Sequence, residues 1–552
     1  MQKSIIRGLL IASAGLALAA GSTSCTKDLD QEPRFELTPD KVFADLQGYR
    51  QVLAKLYAGF AVTGQVGPAG DNTGDIGGID EGTSDYIRQY WSAQELPTDE
   101  AVVAWNDPGV QDWHNMNWNA SNILIRGLYS RIFYEISICN EFLRESADDK
   151  LSARLSADDA ATVRKYRAEA RFLRAVAYMH AMDLFGNGPF VTENDPVGFF
   201  QPPYYTRSEY FTFVEKELTE LAADANFADA RTNEYGRVDK AAAWGMLARL
   251  YLNAQVYTGT ARYNDAVIQA KRVIDAGYKL TEAPAGQVAS AYGRVFLGDN
   301  DATVARTEII WPVVFDVNTT QSFGGTTFLV NGSTGAAADW QRKVGQTTGW
   351  QGLRTTSALF NMFPDTALDR RGRFWTQGQT LQINDLRQFS QGFGVLKFRN
   401  VSSSGQALGG SQNFSSVDFP MIRVAEMMLI YAEAVGRGGS GDANLALGYV
   451  NQIRRRAFGL PTTTPSPVAD VTSQVLAPNS TFLLDERARE LHWEGHRRTD
   501  LIRYDRFVTA TYVWPWKGGV AAGRAVESFR KLYPIPAADL SVNQNLKQNE
   551  GY

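Results

Sequence analysis

The spacing of apolar residues between Val163 and Phe185 restricts the fold of this chain more than any other feature of its sequence. The segment VRKYRAEARFLRAVAYMHAMDLF carries small or apolar side chains at steps of three and four residues, namely Ala168, Phe172, Ala175, Val176, Met179 and Met182. That spacing predicts an amphipathic helix with one face against a core. The run GNGP follows directly, and such a run is typical of a helix end.

Further helices follow one another in pairs. Residues 241–257 and 261–277 form a helix, a short glycine-containing turn and a second helix within 37 residues. Residues 422–437 and 442–458 repeat this arrangement, and residues 118–140 pair more loosely with the first helix. Small alanines among bulky Leu, Tyr and Ile are typical of tetratricopeptide units. We therefore predict a mostly α fold, in which tetratricopeptide-like helix pairs form a scaffold with long irregular loop insertions and a few short strands.

Two insertions differ from this scaffold. Residues 61–118 contain TGQVGPAGDNTGDIGGIDEG and few helical periods, and residues 281–420 are rich in Gly, Ser and Thr. The second insertion contains the β-like runs Glu308–Val317 and Gly394–Phe398. Loops of this length are usually functional or disordered, and their tryptophan content argues against disorder. We expect the ligand-binding loops around 61–118 and 281–420.

The N-terminus has the pattern of an exported protein. Lys3 and Arg7 precede the apolar run GLLIASAGLALAA, which at 13 residues is too short to span a bilayer. This pattern predicts a secretory signal peptide over residues 1–24. Cys25 follows the small residues GSTS, which resembles the lipoprotein box, so we predict that Cys25 is the lipid anchor.

Two other states of Cys25 stay open, namely ordinary signal cleavage nearby with a free thiol, and a disulfide with Cys139, the second cysteine of the chain. We expect Cys139, in the apolar run ISIC, to be a buried packing residue. The polar residues 25–40 read as a lipidated tether, and residues 41–552 as a single globular body anchored to the membrane through the lipid alone.

The stretch HWEGH raises the question of a metal hydrolase. His492 and His496 have the i, i+4 spacing of zinc ligands, but Glu494 lies two residues from each, near the opposite side of a helix. No third ligand is assigned. We predict instead a structural helix over 483–504 with Trp493 in the core. Its charged residues form an i, i+3, i+4 lattice, namely Glu486, Arg487, Glu490, Glu494, Arg497 and Asp500.

Several motifs together resemble the SusD/RagB family of outer-membrane nutrient-binding lipoproteins. The similar segments are RAEARFLRAVAYMHAMDLFGNGPF, GRVDKAAAWGMLARLYLNAQVYTG, DFPMIRVAEMMLIYAEA, ALGYVNQIRRRA, LLDERARELHWEGHRRTDLIRY and the tail LYPIPAADLSVNQNLKQNEGY. They occur in the family's order and span most of the chain. The tail departs from the family at Glu550, where Pro is usual, and Leu128 stands where many members have Trp.

The resemblance implies a function in nutrient uptake. It implies a lipoprotein on the outer face of the outer membrane, which lies as a lid on a SusC-like TonB-dependent transporter. Such a protein captures an oligosaccharide, or in some members a peptide, and performs no chemistry on it. Asp28 and Asp30, just after Cys25, resemble the family's signal for export to the cell surface.

Loop tryptophans are the candidate ligand contacts, because sugars present flat C–H faces to aromatic rings and hydroxyls to polar side chains. Four tryptophans fall within the 28 residues 91–118, interleaved with polar residues, and DWQRKVGQTTGWQG carries two more. We expect Trp118, Trp244 and Trp311 to be core residues. The predicted ligand-binding residues are Trp91, Trp105, Asn106, Asp112, Trp113, Trp340, Arg342 and Trp350.

Other functions stay open. The chain could bind peptides or another nutrient, it could be a glycoside hydrolase on a helical frame, or it could be a protein-interaction scaffold. With 55 basic and 60 acidic residues and no strongly basic patch, nucleic acid is an unsuitable partner. We expect no cofactor and no catalytic metal. The segment DNTGDIGGID (Asp71–Asp80) could hold calcium, although a plain surface loop fits better and no structural calcium site can be located.

Overall fold

Helices dominate the computed structural model, which describes residues 38–65, 74–283, 290–409 and 414–552. The helices are α1 (Pro39–Val42), α2 (Leu46–Ala58), α3 (Tyr86–Glu95), α4 (Asp112–Asn115), α5 (Ile123–Glu145), α6 (Asp148–Arg154), α7 (Ala157–Phe185), α8 (Arg207–Ala223), α9 (Lys240–Leu252), α10 (Ala254–Thr258), α11 (Tyr263–Asp275), α12 (Ala291–Arg294), α13 (Gly325–Gly332), α14 (Ala338–Val344), α15 (Ser357–Phe360), α16 (Val424–Gly436), α17 (Ala443–Ala457), α18 (Phe482–Leu491), α19 (Arg497–Arg503) and α20 (Ala537–Val542).

The strands are short and pair two by two. They are β1 (Val102–Val103), β2 (Gly188–Pro189), β3 (Tyr204–Tyr205), β4 (Ile309–Val313), β5 (Leu353–Arg354), β6 (Phe374–Trp375), β7 (Gly394–Val395) and β8 (Phe419–Arg423). The antiparallel pairs are β1–β5, β2–β3, β4–β8 and β6–β7. The prediction of a mostly α fold with a few short strands is confirmed.

The long helices pack as neighbours along the scaffold. Helix α7 lies between α5 and α8, and the series α9, α11, α16 and α17 continues the contacts, each with the next. Ser156 caps α7 by accepting a hydrogen bond from the backbone N–H of Asp159, and Gly186 ends it at φ 74°. The left-handed backbone at Gly186 explains why the run GNGP stops the helix.

Several predicted boundaries were wrong by two residues or more. Helix α5 begins at Ile123 rather than at Trp118, because Asn122 is its N-cap. The segment predicted as one helix from 422 begins with strand β8, and α16 starts only at Val424. The insertion 61–118 also contains helix α3, whose capping residue Asp85 accepts from the N–H of Arg88.

The core includes most of the expected residues. One hydrophobic cluster includes side chains from Phe43 to Leu546. Trp118, Trp311 and Trp493 are fully buried as predicted, whereas Trp244 is only half-buried. Cys139 is a buried free thiol, which confirms its packing role.

The HWEGH stretch is a turn, so the prediction of one helix over 483–504 was wrong. Helix α18 ends at Leu491 and α19 begins at Arg497. Between them Trp493 has φ 64° and Gly495 has φ 82°, which are left-handed conformations that no helix contains. The two histidines therefore do not share a helical face.

The charged residues around this turn form a buried network rather than a surface lattice. Arg423 donates to Glu490 at 2.7 Å and to Glu494 at 2.6 Å, and Arg371 donates to Glu486 at 2.7 Å. All five side chains are almost fully buried. Buried charges are stable only when they are paired in this way, so the network fixes how α18 packs against strand β8.

The N-terminal predictions lie outside the described residues. Three features therefore stay predictions, namely the signal peptide over 1–24, the lipid anchor at Cys25 and the tether as far as residue 37. The assignment of residues 41–552 to a single body also stays a prediction. No described helix combines the length and the apolar character that a membrane span requires.

Candidate functional site

Three half-buried aromatic side chains from the two insertions meet at the surface, and we call Trp105, Trp350 and Phe323 the aromatic platform. The ring centroids of Trp105 and Trp350 lie 6.5 Å apart, and those of Trp350 and Phe323 lie 6.1 Å apart. Each ring keeps part of its surface exposed. Trp105 comes from the first insertion and the other two rings from the second, so the platform exists only where both insertions meet.

Trp105 is held by backbone pairing and by a glycine. Its indole N–H donates to the carbonyl of Trp350 at 2.9 Å, and the N–H of Ala104 donates to the carbonyl of Gly352 at 2.9 Å. A Cβ atom at Gly352 would come within 2.3 Å of the Trp105 ring. Only glycine allows this approach, because real Cβ contacts are much longer.

The other two rings are fixed from below. The N–H of Trp350 donates to the carbonyl of Asn331 at 2.8 Å. Phe323 packs on the buried ring of Phe414, with centroids 5.4 Å apart. Neither ring therefore depends on a ligand for its position.

Arg88 supplies a positive charge beside the rings. Its guanidinium carbon lies 5.9 Å from the centroid of the Trp105 ring, and Nη1 donates to the carbonyl of Phe323 at 3.3 Å. Burial lowers the pKa of Arg88, and the nearby carboxylates of Asp85, Asp80 and Asp107 oppose that shift. The arginine stays charged, because an ordinary arginine pKa lies far above neutral pH.

Exposed polar side chains continue from the aromatic platform. Asn106 and Asp107 follow Trp105 directly and Gln351 follows Trp350, and all three are exposed. Gln351 adopts φ 53°, held by a hydrogen bond from its N–H to the carbonyl of Thr334 at 3.1 Å. A flat apolar surface with amide, carboxylate and guanidinium groups beside it suits a ligand that has both apolar faces and hydroxyls.

Three of the predicted contact tryptophans are buried instead of facing solvent. Trp91 lies on α3 and donates its indole N–H to the carbonyl of Trp493 at 3.0 Å, while its ring packs on Phe328. Phe328 in turn packs on Trp105, with centroids 6.0 Å apart. Trp91 therefore supports the aromatic platform from the second layer and offers no face to a ligand in this conformation.

Trp113 and Trp340 belong to other packed clusters. Trp113 is 1% exposed and packs against Trp118 and Tyr533. Trp340 is 3% exposed and is stacked between Trp375 and Phe389, at 5.0 and 5.6 Å. Polar neighbours in the sequence suggested exposed rings, but distant residues cover both.

The predicted polar contacts have separate surroundings. Asp112 accepts from the amide of Asn122 at 2.8 Å, and Arg342 is exposed and paired with Asp339 at 2.8 Å. Of the predicted ligand-binding set, the structure thus brings together Trp105, Asn106 and Trp350. Their contact with a ligand stays a prediction.

Sequence reasoning missed Phe323, Arg88 and Gln351, and it noted Asp107 among the polar residues beside the tryptophans without selecting it. Asp107 lies in the same WNDP run as two predicted residues and could have been included. Phe323 stands alone in the Gly- and Thr-rich run TTQSFGGTT, and Arg88 lies on a helix that was not predicted. No sequence pattern therefore indicated a binding role for either residue. Among the described residues, no group of three or more His, Cys, Asp or Glu side chains could hold a metal ion.

Comparisons with known proteins identify relatives along the whole chain. A family model described as SusD family matches residues 325–552. The chain is 33% identical to the starch-binding protein SusD of Bacteroides thetaiotaomicron, with 100% of both chains covered. It is 24% identical to SusD-like protein P25 of Formosa agariphila, over 96% of this chain and 97% of that protein.

Solved structures share the fold. The chain superposes on a SusD homolog from Bacteroides thetaiotaomicron with a TM-score of 0.70 at 18% identity, covering 94% of this chain and 99% of that one. It superposes on surface glycan-binding protein A from Bacteroides fluxus with a TM-score of 0.66 at 20% identity, covering 92% and 99%. At these identities the likeness shows the fold alone.

Proposed function

The chain belongs to the SusD family, and on that premise we propose that it is a cell-surface glycan-binding lipoprotein that captures an oligosaccharide at the aromatic platform. The captured sugar passes to a SusC-like TonB-dependent transporter in the outer membrane. The protein performs no catalysis, and acylated Cys25 is its only attachment to the membrane.

The aromatic platform is the observation that supports this proposal most. Two half-exposed indole rings 6.5 Å apart provide apolar surface for two or more sugar rings. Arg88, Asn106, Asp107 and Gln351 provide donors and acceptors for hydroxyls beside it. An uncharged ligand can make all of these contacts. This agrees with the name of the 33% identical relative, which is a starch-binding protein.

Preorganisation supports capture rather than catalysis. Hydrogen bonds to main-chain atoms and buried rings hold Trp105 and Trp350 in place before a ligand arrives. A binding site gains affinity when its side chains need little ordering. A retaining or inverting glycosidase would instead need two carboxylates facing each other across a cleft about 5 to 10 Å wide.

Calorimetry on the purified protein tests the proposal. We would titrate soluble starch, malto-oligosaccharides, other neutral glycans and peptides, and measure new reducing ends in the same samples. We expect saturable heat with a glycan and no new reducing ends. Trp105→Ala should weaken binding by about 1 to 3 kcal/mol, by analogy with other ring-stacking sites.

Trp244→Ala is the matched control. Trp244 is also a half-buried tryptophan, but it lies on scaffold helix α9 and is not part of the aromatic platform. If both variants bind equally well, the platform is not the capture site. Heat from peptides alone would replace the glycan with a peptide as the nutrient, and reducing ends that a carboxylate variant abolishes would make the protein an enzyme.

Co-purification tests the partner. The transporter gene product should be retained by the tagged, membrane-anchored protein from detergent extracts, and Cys25→Ser should release the protein from the membrane fraction. Retention of Cys25→Ser in the membrane would contradict lipid anchoring at this residue.

A further inference from the structure

A second pocket in the 281–420 insertion shares no lining residue with the aromatic platform. It has a volume of about 300 Å³ and lies between the end of helix α14 and the strands β6 and β7. Its lining residues are Lys343, Gly372, Arg373, Phe374, Leu396 and Arg399. Three of these six side chains are cationic and none is acidic.

The cations of this pocket have no carboxylate partner among the described residues. Arg399 is half-buried, and its Nε atom is inaccessible to solvent and makes no hydrogen bond there. Arg373 donates Nε to the carbonyl of Arg370 at 3.1 Å and Nη2 to the hydroxyl of Ser290 at 2.8 Å, both of them neutral acceptors. Lys343 lies 5.3 Å from the centroid of the Trp375 ring.

The contrast with a neighbouring arginine makes this arrangement unusual. Arg371, only two residues from Arg373, is fully buried and paired with Asp369 at 2.6 Å and Glu486 at 2.7 Å. The described part of the chain therefore supplies carboxylates to the buried Arg371 but none to Arg373 or Arg399. Burial and the charge of Arg373 lower the pKa of Arg399 to about 10, so it still carries its charge at neutral pH.

An unpaired, partly desolvated cation costs stability unless a ligand neutralises it. Guanidinium groups match the oxygens of sulfate, phosphate and carboxylate, and an ammonium group adds a point charge. The pocket has room for one such group. We propose that Lys343, Arg373 and Arg399 bind a compact oxyanion.

In a glycan-capture protein the oxyanion is an acidic substituent of the sugar, either a sulfate ester or the carboxylate of a uronic acid. This identification of the source rests on the proposed function, whereas the oxyanion site itself does not. The aromatic platform would hold neutral sugar rings, and the pocket would select chains that carry an acidic group.

Titration with simple anions tests the site directly. We would follow the melting temperature and the calorimetric heat of the purified protein with sodium sulfate, phosphate and acetate, at an ionic strength matched with sodium chloride. A saturable rise in melting temperature with at least one of them is expected, since a ligand that binds the folded state stabilises it. Arg399→Gln should raise the dissociation constant about tenfold or more, because it removes a charge-assisted contact.

Arg399→Gln has a second signature that separates loss of the site from loss of the fold. Without oxyanion this variant should melt at a higher temperature than the wild type, because an uncompensated charge has been removed. Arg387→Gln is the matched control, since Arg387 is exposed and paired with Asp385 at 3.3 Å in the same insertion. It should leave both the anion response and the anion-free melting temperature unchanged.

The sources are distinguished with sugars. A sulfated oligosaccharide and a uronic acid oligosaccharide would be compared with a neutral one of equal length, each against the wild type and Arg399→Gln. A preference for either acidic sugar that Arg399→Gln abolishes supports the site and names its source. No saturable response to any of the three simple anions, or an equal response in Arg399→Gln, overturns the proposal. Neutral-glycan binding at the aromatic platform is measured separately, so failure of one proposal does not conceal failure of the other.

Discussion

A pair of buried glutamates behind the aromatic platform should make the stability of this protein depend on pH in a way that one substitution removes. Glu95 accepts from the N–H groups of Gly495 at 2.6 Å and His496 at 3.1 Å. Glu100 accepts from the N–H of Trp493 at 3.1 Å. The two carboxyls thus stabilise the turn between α18 and α19, although they lie near the other end of the sequence.

We infer that the two carboxyls share a proton. Burial, then the charge of Glu100, raises the pKa of Glu95 well above its ordinary value of 4.5. Burial raises the pKa of Glu100 to about 7, although Arg497 opposes that shift and Asp99 adds to it. No group of the described residues donates a hydrogen bond to Oε2 of Glu95, which leaves this buried oxygen available to carry a proton.

The sign of the effect follows from proton counting. Well above pH 4.5 both glutamates are ionised in the unfolded chain, while the folded pair still holds at least one proton. The free energy of unfolding therefore falls by about 1.4 kcal/mol for each pH unit and each retained proton. Between pH 5 and pH 7 each proton that the folded pair retains should lower the stability of the wild type by about 3 kcal/mol.

Glu95→Gln supplies the shared hydrogen permanently. The amide oxygen can still accept from Gly495 and His496, and the amide N–H can donate to Glu100. We would measure urea unfolding of the wild type and the variant at half-unit steps from pH 5 to pH 8. The free energy of unfolding of the variant minus that of the wild type should rise by about 3 kcal/mol between pH 5 and pH 7. Titrating groups that both proteins share contribute equally to the two values and cancel in this difference.

Glu494→Gln is the control in the same turn. Glu494 is also buried, but Arg423 and Lys397 lower its pKa to about 2 despite burial. Its contribution to stability is therefore complete above pH 4.5 and constant from pH 5 to pH 7, so this substitution should destabilise equally at both ends of that window. Parallel profiles for the wild type and Glu95→Gln would refute the shared proton.

Three further predictions concern the site and its supports. Gly352→Ala should weaken glycan binding and lower the free energy of unfolding by about 1 to 3 kcal/mol, because the new Cβ would overlap the Trp105 ring. Calorimetry and thermal melting would measure the two effects. The control is Gly448→Ala, which lies in open space within α17 and should be neutral or stabilising. Glu490→Ala should lower the free energy of unfolding by about 3 to 5 kcal/mol in urea titrations, because it takes one carboxylate away from Arg371, Arg423 and Arg456 in a fully buried charge network. A loss below about 1 kcal/mol would contradict that role. Replacing His492 and His496 together with Asn should leave ligand binding intact in calorimetry, and a folded double variant that no longer binds would contradict their structural role.

The scaffold could be predicted from the sequence because its signals are local. Residues three and four apart lie on one face of a helix whatever the rest of the chain does, so both ends of α17 and the C-terminal end of α7 were predicted to within one residue, although α7 begins at Ala157 rather than at Val163. The turn at Trp493 has no such signal. Its left-handed backbone is held by Glu95 and Glu100, about 400 residues away in the sequence, and no local pattern contains that information.

The candidate site could be predicted only in part, because exposure of a ring depends on what packs against it from elsewhere. Trp105 and Trp340 both lie among polar residues in the sequence. Trp340 is covered by Trp375 and Phe389, whereas one side of Trp105 rests on Gly352 and Phe328 and leaves the other partly open. Strand pairing between β1 and β5 brings the two insertions together at this point. Neither insertion contains the whole site. The composition of one insertion can therefore indicate that a ligand binds, but not which rings the ligand touches.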